Sequence, residues 1–416
     1  MRAPRPNHRV RSGKRAWGLA GLAIGLALFF LSSNAHAYPW MIRHGYTGCM
    51  PCHTDPSGGA GALTEYGRAQ SDLLLRMRYG ETTDSGEADK TSGLLFGLIA
   101  PLPEQIRAGG DFREAFYSNK PDGAPVEQEL ITMRADLYAD VRVGRFRAAG
   151  SIGYVPAGDR PAALTTGLDD NIVSREHWLG AELDDDGAWL LRAGRITLPF
   201  GIRMIEHTLW VRTLTRTDLD DNQSYGLALS FGRDQLRGEI MGIAGNLEIH
   251  PDEFRERGYS AYVEYAPMTT LALGASSLFT RATRDIVYGV TDYRYANGIF
   301  ARYAPVQQLV LLGELDSVYQ SLTWNGHRGG FAGFLQADYE SVQGFHLMLT
   351  GETMNSGAEG EPTSFDGWAS AVWFCLPHVD LRLDGIYSSL GNPPVAGTPA
   401  FRSGVTTWLA QFHVFL

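Results

Sequence analysis

The chain has 416 residues, 44% of them hydrophobic and 11% aromatic, with 36 Lys and Arg against 46 Asp and Glu. A formal charge of −10 excludes a nucleic-acid binder, which needs a basic face to meet phosphates. Three cysteines in all exclude a disulfide framework.

Residues 1–37 read as a secretory signal peptide. Arg2, Arg5, Arg9, Arg11, Lys14 and Arg15 precede an apolar run from Trp17 to Leu31, and Ala35-His36-Ala37 has the small-x-small form of a cleavage site. The run is shorter than the ~20 residues a spanning helix needs. Cleavage removes these six basic residues and no acidic one, so the exported chain, beginning near Tyr38, keeps 30 against 46, a formal −16.

Eleven residues on stands Cys49-Met50-Pro51-Cys52-His53. Two cysteines at this spacing can each form a thioether to a haem vinyl, with the adjacent histidine on the proximal side of the iron, which is the pattern of a single covalent haem c. Zinc is the other metal such a pair can serve, but the second half of a zinc site is missing. For the distal side His44 ranks first, being close and an imidazole; Met77 and Met41 follow, and a thioether would raise the potential relative to histidine. His44 can equally be a hydrogen-bonding turn residue.

Residues 38–80 therefore form a small helical and coil cytochrome domain, with a helix predicted from Thr64 to Leu75; 81–103 read as a linker, polar from Thr82 to Thr91. From 104 to 416 the pattern is β. Ile131, Met133, Ala135, Leu137, Ala139, Val141 and Val143 alternate with Thr132, Arg134, Asp136, Tyr138, Asp140 and Arg142, and in a strand the two sets face opposite sides. A lipid-facing barrel with a wet interior fits this alternation, and so does a soluble sandwich with the faces reversed.

Connection lengths separate the two. Sixteen strands are predicted, near 104–117, 128–143, 145–156, 174–184, 188–197, 223–231, 235–245, 257–265, 270–281, 294–303, 307–319, 328–340, 343–355, 364–375, 379–390 and 404–416. Turns after even-numbered strands are short, around Gly144, 185–187, 232–234, 266–268, 304–306, 341–342 and 376–378; those after odd-numbered strands are mostly long, including 157–173, 198–222 and 391–403. This alternation is that of a transmembrane antiparallel β-barrel of the outer membrane, with both termini in the periplasm. Trp408, Ala410, Phe412, Val414 and Leu416 share one face of a strand in which the chain ends.

Two resemblances follow. Gly194-Arg195-Ile196-Thr197-Leu198-Pro199-Phe200-Gly201 resembles a stretch of outer-membrane porins. Residues Ile42 to His53, followed by Leu63-Thr64-Glu65-Tyr66-Gly67-Arg68, are similar to the fused monohaem cytochrome-porins of iron-oxidising bacteria, with departures at Ala69, where that family tends to place an aromatic, and His44, where a glutamine is common. The resemblance implies single-electron transfer between an extracellular partner, with ferrous iron as one candidate, and a periplasmic carrier cytochrome, an iron(II):cytochrome c oxidoreductase activity. The alternative is a diffusion porin whose haem-bearing plug or sensor carries no sustained electron flux.

Physics favours the fusion. A haem module of roughly forty residues is at the lower limit of independent folding, while a sixteen-stranded barrel leaves an open lumen, so residues 38–79 are expected in or against the periplasmic mouth. Asp218, Asp220 and Asp221 are a candidate cation site or a solvated acidic loop. Cys375 reads as a small apolar strand residue, and Glu206-His207 as lumen charges.

Overall fold

Burial is inverted relative to a water-soluble protein. Leu137 is 65% exposed, Phe146 71% and Leu349 65%, whereas Arg192, Asp338 and Asp384 are fully buried. Charges line the inside and apolar side chains the outside, which settles the alternation in favour of a barrel whose outer face suits lipid. The computed structural model describes residues 38–416 except 57, 59–61, 80–89, 157–169, 205, 207, 220, 221, 234, 246–255, 286, 287, 324, 325, 396 and 397. The expected signal peptide and most of the polar linker stretch lie outside the described residues.

The wall consists of β1 (Ile106–Pro121), β2 (Glu127–Val143), β3 (Phe146–Pro156), β4 (Asp170–Val173), β5 (His177–Glu182), β6 (Trp189–Thr197), β7 (Gln223–Arg233), β8 (Leu236–Gly245) and β9 (Glu256–Met268). It continues with β10 (Leu271–Ala282), β11 (Asp292–Val306), β12 (Leu309–Leu322), β13 (Gly326–Val342), β14 (Phe345–Asn355), β15 (Ser364–Leu376), β16 (Val379–Asn392) and β17 (Phe401–Phe415). Successive strands pair antiparallel, and β1 pairs with both β2 and β17, closing the sheet. Both β4 and β5 pair with β3, so they share one wall position and the barrel has sixteen. The expected strand 174–184 is thus shorter, as β5, and a separate β4 precedes it within the expected connection 157–173. Between β4 and β5 Arg175 turns inward to Asp136 at 2.8 Å, and the Glu176 carbonyl accepts the Ser151 N–H at 2.8 Å.

Several short turns fall later than the sequence suggests, two of them beside prolines. Strands β9 and β11 run on through Met268 and Val306, so the turns lie at 269–270 and 307–308. The pairing register slips beside Ala266-Pro267 and Ala304-Pro305. A proline has no N–H for the ladder and is tolerated at such bulges, so these prolines end regular pairing without ending the strand.

The described residues of 38–79 lie inside the barrel at the end that carries the short turns. Pro39–His44 form a 3-10 turn, Glu65–Gln70 form α1, and a π-turn over Ser71–Leu75 continues it, together covering the expected helix. Gln343, in the β13–β14 turn, donates to the carbonyls of Leu73 and Arg76 at 2.9 and 3.0 Å. The Met77 N–H donates to the Phe374 carbonyl at 3.0 Å. Tyr38 stacks on Trp40 with ring centroids 4.4 Å apart, and both meet Phe374 edge-on.

Candidate functional site

The chemistry-bearing turn is built by its own backbone. The Cys49 carbonyl accepts the N–H groups of Cys52 and His53 at 3.1 and 3.0 Å, placing both cysteines and the histidine on one tight turn. Residues 62–64 return beside it: Thr54 N–H donates to the Ala62 carbonyl at 3.0 Å, His53 bridges Leu63, and Thr64 N–H donates to the Cys52 carbonyl at 2.9 Å.

The stretch Leu63-Thr64-x-x-Gly67-Arg68 thereby acquires a physical meaning. Thr64 caps α1 by accepting the Gly67 N–H at 2.9 Å, while its hydroxyl donates to the Pro51 carbonyl at 2.6 Å. A Cβ at Gly67 would stand 2.4 Å from the Cys52 carbonyl oxygen, so only glycine lets the helix approach the motif this closely. Arg68 reaches the wall, donating to the Ala108 carbonyl of β1 at 2.9 Å.

Inward-facing arginines hold the turn from several strands. Arg147 of β3 donates to the Thr54 carbonyl at 3.0 Å, Arg192 of β6 lies 3.3 Å from Asp55, and Arg302 of β11 donates to the Thr47 carbonyl at 2.6 Å. Arg237 of β8 places Nη1 3.0 Å from Cys49 Sγ while its other nitrogens pair with Glu264 at 2.9 and 3.1 Å. Burial, with Cys49 beside it, pushes the Cys52 thiol up to about 12, so it stays protonated at neutral pH.

The long connection after β6 closes the lumen from the other side. Its helix α2 (Trp210–Thr215) crosses to the opposite wall, where Arg212 pairs with Glu314 and the Trp210 N–H donates to Glu352 at 2.7 Å. Glu206 meets Arg382 at 2.6 Å, as expected for a lumen charge. Between loop and plug lies a cavity that offers about 110 Å³ to the centres of water-sized molecules. Cys49, Cys52 and His53 line it together with Met41 and, from the loop, Met204.

His44 and Met77 do not line this cavity. His44 is half-buried near Arg43, Glu340 and His346. Burial lowers its pKa, helped by Arg43 and His346 and opposed by Glu340. Met77 sits at the rim against Phe374. Cys375 lies in the β15 wall. Asp218 N–H donates to the Asn222 side chain at 3.0 Å, while His207, Asp220 and Asp221 lie outside the described residues. Sequence reading missed Met204 and Arg237; strand alternation turns Arg237 inward, but nothing in the sequence says which plug residue it meets.

His378, in the β15–β16 turn, pins the plug. Its Nε2 lies 2.6 Å from the Ser92 carbonyl and its Nδ1 3.1 Å from Ser71 Oγ. Burial holds its pKa below the ordinary value, with Arg68 assisting and the Ser92 carbonyl and Asp72 opposing. The unfolded ring takes up its proton near pH ~6.5 and the seated ring only at lower pH. The anchorage is therefore complete above that pH and weakens as pH falls below it. Protease access to residues 38–79 should rise between about pH 7.5 and about pH 5.5. His378→Ala should flatten this dependence and cost about 1–3 kcal/mol by leaving the Ser92 carbonyl unsatisfied.

No protein-family model matches the chain, and no curated protein matches it. Solved structures do. OmpT of Vibrio cholerae in its trimer form is similar with a TM-score of 0.53 and 12% identity, covering 74% of this chain and 98% of that one. The anion-selective porin from Comamonas acidovorans has a TM-score of 0.54 and 11% identity over 75% and 99%. OmpF of Salmonella typhi in complex with daunomycin has 0.52 and 11% over 76% and 100%. The chain has the fold of a porin barrel.

Proposed function

We propose that this chain is an outer-membrane cytochrome-porin that passes single electrons between an extracellular partner and a periplasmic carrier through one covalent haem c. The observation that supports this most directly is the enclosure of Cys49, Cys52 and His53 around one cavity inside the barrel. The residues fit the group. Both thiols leave one turn, and a Cβ at Gly58 would come within 2.8 Å of Cys49 Sγ, so the chain keeps side-chain bulk away from the attachment point.

Bound there, a haem supplies a one-electron couple. Cys49 and Cys52 would hold it by thioethers, each S–H adding across a vinyl group without any oxidant, and His53 would ligate the iron. Arg113, Arg134, Arg237 and Arg302 on the cavity wall offer positive charge for its carboxylates. The plug and the α2 loop exclude bulk water and bar wide diffusion, which favours electron flux over solute flux. Apolar outer faces on the strands support insertion in the outer membrane.

The test is ferrous iron added outside intact cells, followed by the haem absorbance. Reduction of the haem, with onward reduction of a periplasmic cytochrome, is the expected result. A stainable haem that no external donor reduces would instead favour the plugged diffusion porin.

A further inference from the structure

If a haem occupies this cavity, a second side chain of the lining would ligate its iron along with His53. Among the described residues, four sulfur or imidazole side chains besides the motif line the cavity: Met41, Met133, Met204 and His413. His413 is already engaged at both ring nitrogens, by Asp380 at 2.7 Å and Asp111 at 3.3 Å. Met133 packs in a separate cluster with Ala115, Trp368, Ile386 and Leu409. Met41 and Met204 share the apolar cluster that also holds Leu63 and Leu75 of the plug.

Position separates these two. Met41 is the middle of the buried run Trp40–Ile42 on the 3-10 turn, part of the same segment that already contributes both cysteines and the proximal histidine. Met204 is buried at 4% exposure on an irregular stretch of the lumen loop, so it enters the cavity lining from the barrel's own chain segment and not from the plug. Its neighbour Arg203 comes 4.0 Å from Asp55, two residues past His53, which ties this stretch of loop to the motif. The Ile202 N–H donates to Glu314 at 2.9 Å, fixing the approach from the far wall.

We infer that Met204 is the distal ligand, so that the plug and the barrel's own lumen loop hold the haem between them. This assignment rests on the haem reading above. It makes the loop part of the redox centre, and a thioether at this position raises the potential relative to a second histidine.

The full-length protein, purified in detergent, provides the test. The ferric parent should show the weak long-wavelength band of a sulfur–iron bond, and Met204→Leu should lose it, become high-spin and fall in midpoint potential. Met204→His should return to low spin without the band and at a lower potential than the parent. Met41→Leu, which alters the cavity lining without removing the proposed ligand, should keep the sulfur–iron band, and heat-modifiable gel mobility should show every variant folded. Retention of the band in Met204→Leu, or its loss in Met41→Leu, overturns the assignment. So does a parent with covalent haem and no such band, which leaves the haem reading standing; a parent without any haem stain defeats both.

Discussion

Cys52→Ala should sharply weaken the haem-stained signal at the monomer mass on a denaturing gel, the largest single effect expected for this chain. The side chain is 1% exposed and its backbone is fixed by the Thr64 N–H and the close approach of Gly67. Alanine keeps the Cβ and all of those backbone bonds, so the turn should survive and only the sulfur disappears. One thioether, to Cys49 beside Arg237 at 3.0 Å, could still form and would survive denaturation, so the loss expected is in the amount of haem attached with one thiol missing. Near-normal porin-like gel mobility combined with lost stain separates attachment from folding. Full staining of the variant would refute attachment through both cysteines.

How much of this could be read in advance depends on which interaction decided it. The sixteen wall positions follow from alternation and turn spacing, both of which are local, and they agree closely with the observed strands. The exceptions have causes that alternation and spacing do not reveal. Pro267 and Pro305 resemble turn prolines because a bulge and a turn both tolerate a missing N–H. The break at Ser174 to Glu176 depends on Asp136, about forty residues away, which draws Arg175 into the lumen. At the site, the motif announces itself by spacing, and its Leu-Thr-x-x-Gly-Arg partner only through the resemblance. Met204 does not, because its place on the cavity wall depends on a loop folding back across the barrel to Glu314 and Glu352. His44 was attractive through proximity in sequence, yet the 3-10 turn that carries it also commits Arg43 to the opposite wall.

That commitment carries the second large effect. Arg43 pairs with Asp338 with both side chains fully buried, and its Nη1 meets Glu340 at 3.0 Å. Its Nε donates to the Trp40 carbonyl at 3.2 Å, so one guanidinium closes the 3-10 turn and fastens it to β13. Arg43→Ala removes the cation and strands two buried carboxylates, with His346, 3.0 Å from Asp338, left as a hydrogen-bonding neighbour. Removing one member of such a buried pair costs about 3–5 kcal/mol, large enough to unseat the leading turn of the plug. In planar bilayers the parent should conduct little, because plug and loop both fill the lumen, while Arg43→Ala should show frequent openings and faster proteolysis within residues 38–79. Adding Asp338→Asn and Glu340→Gln to Arg43→Ala should recover part of the closure, since amides in place of the carboxylates leave no uncompensated charge behind. A variant as closed and as protease-resistant as the parent would mean that the aromatic contacts of Tyr38 and Trp40 with Phe374, and not the buried ion pairs, hold the plug in the barrel.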